Sequence, residues 1–183
     1  METNYIVKRL KLFWPVLALL MLVSFSVNAQ NKSNVAVNNN TIAGAFSFCD
    51  TQTATQTLTG LRFTGTTPLL NIEITSPGIT SATVTIYWEY SSTGTGGWTT
   101  TLPGTSAQTS AVPGTVVISL GGSTTLNASG SGFYDLNVNG LTANGWFRRV
   151  VEVVTNDAAV NATVASNIIQ VTRNSSTVDC GTN

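Results

Sequence analysis

Hydrophobic and polar residues alternate one by one over two central segments of this chain. Leu70, Ile72 and Ile74 are each followed by a polar residue, and the same alternation runs through the segment 83–90, where Trp88 lies on the apolar side. A period of two places successive side chains on opposite faces of a β-strand, so that one face is buried and the other is wetted. The pattern therefore predicts half-buried strands of an antiparallel sheet.

Shorter candidate strands follow, separated by turn signals rich in Gly, Pro and Asn. They span residues 98–101, 116–120, 133–138, 145–154 and 167–172. Outside residues 12–27, no window keeps an apolar period of 3.6 long enough to predict a helix. We predict an all-β fold, an antiparallel β-sandwich of about seven to eight strands, formed by residues 41–183.

The N-terminal residues have the order of a secretory signal peptide. A basic stretch, 8–11, precedes the apolar run 12–27, and a small-residue cleavage site ends at Ala29. The alternative is a retained membrane anchor, which needs about 20 apolar residues and so a longer run than this one. We predict a cleaved signal peptide, 1–29, and a flexible, Asn-rich arm, 30–40. The mature chain would be secreted, to the cell surface, the medium or the periplasm, without inserting into a membrane.

Charge is scarce. The 183 residues include eight Lys and Arg, eight Asp and Glu, and no His, for a net charge of zero. Scattered charges give no electrostatic footprint for nucleic acid. Without histidine the chain can form neither a Ser-His-Asp triad nor a Cys-His pair, and its few carboxylates show no clustering suited to a glycosidase. We predict a protein that is not an enzyme and takes no cofactor.

Two cysteines, Cys49 and Cys180, lie near the two ends of the mature chain. In an oxidising compartment an even pair indicates a disulfide first. We predict an intramolecular Cys49–Cys180 bond. Two free thiols, or pairing between chains, remain the alternatives.

Three stretches resemble immunoglobulin-like and fibronectin type III domains. Trp88 lies mid-strand, where such domains often place a core tryptophan, and residues 139–151 look like the corner and following strand of such a sandwich. The ending 166–172 resembles the last strand. The resemblance is closest to modules of bacterial cell-surface adhesins. It departs at the corner, where the family's usual tyrosine is replaced by Trp146 or Phe147.

The resemblance implies an immunoglobulin-like β-sandwich and an adhesive setting, but no active residue. It also implies protein partners at the cell envelope, or self-assembly. For a secreted, non-catalytic β-domain the resemblance implies such an adhesion or assembly module, and the arm 30–40 is a strand that could be donated to a neighbour's sheet edge.

The sharpest local motif for a metal is Asp135, Asn137 and Asn139 before Gly140. Alternate oxygen ligands followed by a Gly turn match the first half of a calcium loop, but Trp146 stands where the loop's bidentate Glu is expected. The favoured interpretation is a strand in which Asp135 and Asn137 face water, and therefore no metal site.

Two further patterns have simple structural interpretations. Threonines at every second position over 51–59 resemble the ice-contacting row of some antifreeze proteins, although threonine is also common on exposed strand faces. Adjacent Arg148 and Arg149 should point to opposite faces of a strand. We expect one to lie over an aromatic ring and the other near a loop or an acid such as Glu152.

Trp98 and Tyr87 are the candidate contact residues. Trp98 follows the glycine-rich segment 93–97, which would place it at a rim, although a core position is the alternative. Exposed aromatic side chains stack on sugars and anchor protein partners. A small carbohydrate-binding protein is thus the alternative function, ahead of calcium or ice binding.

Overall fold

The computed structural model describes residues 34–44, 47–49, 56–104, 106–139, 141 and 143–174. They all belong to the second of two compact units, Ser33–Asn183. The predicted signal peptide, 1–29, lies outside the described residues, so its cleavage stays a prediction.

The described residues form twelve β-strands and one short 3-10 helix, Ala158–Val160. The strands are β1 (Val35–Asn38), β2 (Ile42–Gly44), β3 (Ser47–Cys49), β4 (Thr57–Gly60), β5 (Asn71–Ile74), β6 (Ala82–Ser91), β7 (Ala107–Ala111), β8 (Thr115–Leu120), β9 (Thr124–Asn137), β10 (Gly145–Thr155), β11 (Ala162–Ala165) and β12 (Ile169–Asn174). The all-β class is confirmed, but there are more strands than the seven to eight predicted. Strands such as β2, β7 and β11 are short and lack a strong apolar alternation, so the sequence pattern does not show them.

The strands pair in the order β1-β5-β8-β9-β6-β10-β12-β3, with β11 beside β10, β2 beside β4, and both β4 and β7 beside β9. The expectation of purely antiparallel pairing is wrong at three places, because β5–β8, β6–β9 and β12–β3 run parallel. Parallel neighbours cannot be joined by a hairpin. The chain reaches each of these positions only after forming other strands in between.

Strand β9 changes partners halfway along its length. Its first half pairs with β8 and β6, and its second half pairs with β7 and β4. The change falls at Gly132, which has a φ of 110° and is the register partner of Ile86 on β6. A glycine is suited to this bend because only glycine adopts such a φ without strain.

The core contains two clusters of buried apolar side chains. Strand β6 supplies both, since Val84 and Ile86 belong to one cluster and Trp88 to the other. The alternation predicted for 83–90 is confirmed, with these side chains inside and Thr83 exposed on the opposite face. Strand β10 pairs with β6 from Trp146–Ser91 to Thr155–Ala82, the longest continuous pairing among the described residues.

The predicted flexible arm needs correction where the structure describes it. Val35–Asn38 form β1, which pairs antiparallel with β5. The sequence pattern is too short to show this strand, because Val35 and Val37 are its only large apolar residues. Both pack partly buried against the larger core cluster, and this burial holds the strand in place.

Cys49 ends β3 and lies opposite Asn174 in the parallel pairing with β12. Cys180 is six positions beyond Asn174 but lies outside the described residues. The Cys49–Cys180 disulfide therefore stays a prediction.

Candidate functional site

Strands β6 and β10 present a polar and aromatic outer face opposite the core. Tyr87 and Glu89 are two residues apart on β6 and so share this face. The register places Arg148 of β10 directly opposite Glu89. Arg148 Nε donates a hydrogen bond to Glu89 Oε2 at 2.6 Å, and the side chains are 26% and 15% exposed.

Arg148 also brings Trp98 onto this face. Its guanidinium carbon lies 4.2 Å from the centre of the Trp98 ring, a cation–π contact. The structure thus places both predicted contact residues, Trp98 and Tyr87, around the Arg148–Glu89 ion pair. We call these four residues the Trp98 surface. As predicted for one of the two arginines, Arg148 lies over an aromatic ring.

The loop that precedes Trp98 is held by a buried serine at the end of β6. The Ser91 hydroxyl accepts hydrogen bonds from the backbone N–H groups of Thr93 and Gly94, at 3.1 and 3.0 Å, and donates one to the carbonyl oxygen of Gly96. Thr99 exchanges two backbone hydrogen bonds with Tyr90. The backbone is therefore held by hydrogen bonds both before and after Trp98. Binding a partner would restrict the Trp98 side chain further at only a small cost in conformational entropy.

The Tyr87 hydroxyl lies in an acidic part of the surface. Burial raises its pKa, and the negative charges of Glu89 and Glu152 raise it further, while Arg148 acts in the opposite direction. The hydroxyl is therefore neutral at physiological pH and available as a hydrogen-bond donor. The Trp98 surface combines aromatic rings, a phenol, a carboxylate and a guanidinium, which can bind a protein or a sugar.

The second arginine lies near a loop, as expected, but in the interior, which the sequence did not predict. Arg149 is fully buried, and its Nε donates to Asn40 Oδ1 at 3.0 Å while its Nη1 donates to the Leu61 carbonyl oxygen at 2.8 Å. A Cβ at Gly60 would lie 2.6 Å from the Tyr134 carbonyl oxygen and would also collide with the guanidinium, so glycine is required there. The strand pattern offered one signal, since Arg149 lies two residues from the core residues Phe147 and Val151.

Asp135 belongs to the same interior region. It is 6% exposed, so the expectation that it faces water is wrong. Its carboxylate accepts hydrogen bonds from the Gly60 N–H at 3.3 Å and from Arg62 Nη2 at 2.7 Å. Strand β9 is covered at this point, because Tyr134, Asp135 and Leu136 are buried in succession.

The other two residues of the calcium hypothesis are also engaged within the chain. Asn137 Oδ1 accepts a hydrogen bond from the Asn139 N–H at 2.9 Å, and Asn139 Oδ1 accepts one from the Gln56 N–H at 2.6 Å. The oxygens of Asn137 and Asn139 fix the turn after β9 and the start of β4, while those of Asp135 bind the end of β4. Among the described residues, no group of three or more His, Cys, Asp or Glu side chains could hold a metal ion.

The threonine row at 51–59 lies mostly outside the described residues. Only Thr57 and Thr59 fall within the structure, on β4, where Thr59 is exposed and Thr57 is half-buried. The ice-binding hypothesis for this row stays untested. In the part of the chain that the structure describes, no helix has the length and apolar character needed to cross a membrane.

The buried position of Arg149 predicts that the stability of the fold depends on pH. Burial lowers the pKa of Arg149 to about 10, opposed by the negative charge of Asp135. Because the folded chain releases this proton more readily than the unfolded chain, the contribution of Arg149 to stability is greatest in strong alkali and falls as the pH drops through about 10.

We therefore expect the stability of the wild-type chain relative to Arg149→Met to increase as the pH is raised past about 10. Urea denaturation of both proteins at each pH measures this difference. Comparison with the variant is necessary because burial also raises the pKa of Tyr134, which changes stability in the opposite direction over the alkaline range. If the stability difference between the wild type and Arg149→Met stayed constant with pH, a lowered pKa of Arg149 would be contradicted.

In the comparisons with known proteins, no family model, no curated protein and no solved structure matches the chain. The geometry of the Trp98 surface and the sequence are therefore what indicate a function.

Proposed function

We propose that this chain is a secreted, non-catalytic binding or structural module with an immunoglobulin-like β-sandwich, acting in adhesion or assembly at a bacterial cell envelope or extracellular structure. The signal-like N-terminus and the scarcity of charge support the extracellular setting. Support for the sandwich comes from the two core clusters and from the resemblance of the strands around Trp88, 139–151 and 166–172 to adhesin modules. Its partners would be proteins of the envelope.

The observation that carries the proposal is the fixed arrangement of Trp98, Arg148 and Glu89 next to Tyr87. Tryptophan, tyrosine and arginine are the residue types that most often dominate binding energy at protein interfaces. Here they lie together on one outer sheet face, and the aromatic ring is held by a loop with its own hydrogen bonds. A surface arranged in this way needs little reorganisation on binding.

Trp98→Ala should weaken binding of the purified mature protein to an envelope fraction of the producing cells by about 30-fold, because removing a central aromatic anchor typically costs about 2 kcal/mol. Biolayer interferometry measures the affinity. Val117→Ala is the matched control, since Val117 is 57% exposed on the outer face of β8, away from the Trp98 surface. Equal affinities for the wild type and Trp98→Ala, or an equal loss in both variants, would contradict the proposal.

Carbohydrate binding is the second candidate. The rings of Trp98 and Tyr87 share a face with the Glu89 carboxylate, and sugars stack on aromatic rings while carboxylates accept their hydroxyl hydrogens. Treating the envelope fraction with protease or with periodate before the affinity measurement distinguishes a protein partner from a glycan partner. Loss of binding after protease indicates a protein partner, whereas loss after periodate, which oxidises sugar diols, indicates a glycan.

A further inference from the structure

Strand β1 pairs with a single neighbour, β5, among the described strands. It comes first in the described chain, lies at one end of the sheet order, and pairs with β5 through four register pairs, from Val35–Ile74 to Asn38–Asn71. Its side chains alternate between half-buried Val35 and Val37 and exposed Ala36 and Asn38. Such a strand contributes two small apolar anchors and a row of backbone hydrogen bonds.

Strand β5 depends on β1 for most of its pairing. On its other side, β8 pairs with β5 only at Glu73 and Ile74. Ile72 and Ile74 are buried, and the side chains of Val35 and Val37 pack on the same core cluster. Removing β1 would leave the edge of β5 unpaired and expose apolar surface. The edge of β5 is therefore more stable with a strand paired to it than without one.

The segment that follows β1 is anchored to the rest of the fold. Asn40 is anchored, because its side chain is bonded to the side chain of Arg149 and to the Val164 carbonyl oxygen. Ile42 is bonded through its main chain to the side chain of Asn167. The residue between β1 and this anchored segment is Asn39, which has a φ of 59°. A left-handed residue stores strain that an extended hinge would relieve.

We infer that β1 of one copy can occupy the edge of β5 in a second copy, with Asn39 as the hinge. The inference rests on the assembly part of the proposed function and names the partner as a second copy of this chain. A second copy is the partner that fits, because its β1 makes the same four register pairs and places the same two valines. Neither β1 nor residues 39–41 carry a charge, so copies meet no repulsion there.

Two single-cysteine variants test the exchange directly. Ala36 and Glu73 are register partners on β1 and β5, and Ala36 is exposed while Glu73 is half-buried on the outer face. When Ala36→Cys and Glu73→Cys chains of different tag length are mixed and oxidised, we expect a cross-linked heterodimer whose yield increases with protein concentration. The double variant, with both substitutions in one chain, shows whether cysteines at positions 36 and 73 can form a disulfide within that chain. The oxidised wild type shows any cross-linking that comes from Cys49 and Cys180 alone.

The hinge supplies a matched pair of variants. Asn39→Pro cannot adopt a positive φ and should raise the heterodimer yield several-fold, whereas Asn39→Gly adopts it freely and should lower the yield. Both lose the hydrogen bond from Asn39 Nδ2 to the Leu69 carbonyl oxygen, so the comparison isolates the backbone.

Light scattering measures the mass of the wild-type chain in solution and so tests the exchange without any substitution. A mass that increases with concentration supports exchange. A monomer at every concentration, or a mixture in which no heterodimer forms, overturns the inference. Trp98-dependent binding to the envelope would be unaffected by that failure, so the two proposals can fail separately.

Discussion

Arg149→Ala is expected to lower the free energy of unfolding by about 3–5 kcal/mol, because it breaks a buried polar arrangement by deleting one partner. The variant leaves Asn40 Oδ1 and the Leu61 carbonyl oxygen in the interior without the donors they have now. Each unsatisfied group costs about 1–3 kcal/mol, and the deleted side chain also leaves a cavity beside Gly60. Urea denaturation followed by circular dichroism measures the loss.

Arg148→Ala is the matched control for this experiment. It deletes the same type of side chain one residue earlier, on the outer face, where the ion pair with Glu89 and the contact with Trp98 are partly solvated. Such contacts contribute about 1 kcal/mol or less. If the two variants lowered the free energy of unfolding equally, the predicted larger contribution of the buried Arg149 would be contradicted.

The contrast between the two arginines explains what Arg149 does for the fold. Its side chain connects the segment after β1, through Asn40, with the end of β4, through Leu61. The Asp135 carboxylate on β9 binds the neighbouring Gly60 and Arg62. Polar side chains thus hold together strands that are far apart in sequence, at a place where apolar packing alone would not specify which strands meet.

The clearest sequence prediction is β6, which follows the segment 83–90 closely because its buried and less buried faces alternate at every second residue. β10 also follows its predicted segment, 145–154, although Arg149, Val150 and Val151 are buried in succession. β7 has an almost fully exposed pattern, so nothing in its residues distinguishes it from a loop. Its strand conformation comes from pairing with β9, a long-range contact that a local pattern cannot contain.

The candidate site was predicted in part for similar reasons. Tyr87 and Trp98 were identified as exposed aromatic residues, but the contact that brings them together depends on the register of β6 and β10, which places Arg148 opposite Glu89. Asp135 was misjudged because alternation assumes one wetted face, whereas β9 is covered on both sides at that point. Register and covering layers are properties of the tertiary fold, and one strand's sequence does not encode them.

Gly132→Ala is expected to lower the free energy of unfolding by roughly 3 kcal/mol or more, from backbone strain and overpacking together. Gly132 has a φ of 110°, which a residue with a Cβ adopts only under strain. An added Cβ would also collide with the carbonyl oxygen of Ile86 and come within 2.8 Å of the Ile86 backbone nitrogen. These are main-chain atoms of the neighbouring strand, so no side chain can move aside to make room.

Gly114→Ala separates this effect from the general cost of removing a glycine. A Cβ at Gly114 would meet no heavy atom within 4 Å, and we expect a change within about 0.5 kcal/mol. If Gly132→Ala were equally mild, the close parallel pairing of Gly132 with Ile86 would be wrong. The bend at Gly132 is where β9 leaves β6 and joins β7 and β4, so the substitution would disturb the strand that connects these pairings. Hydrogen exchange should therefore show the β6–β9 amides losing protection first in Gly132→Ala, with the β6–β10 amides retained longest.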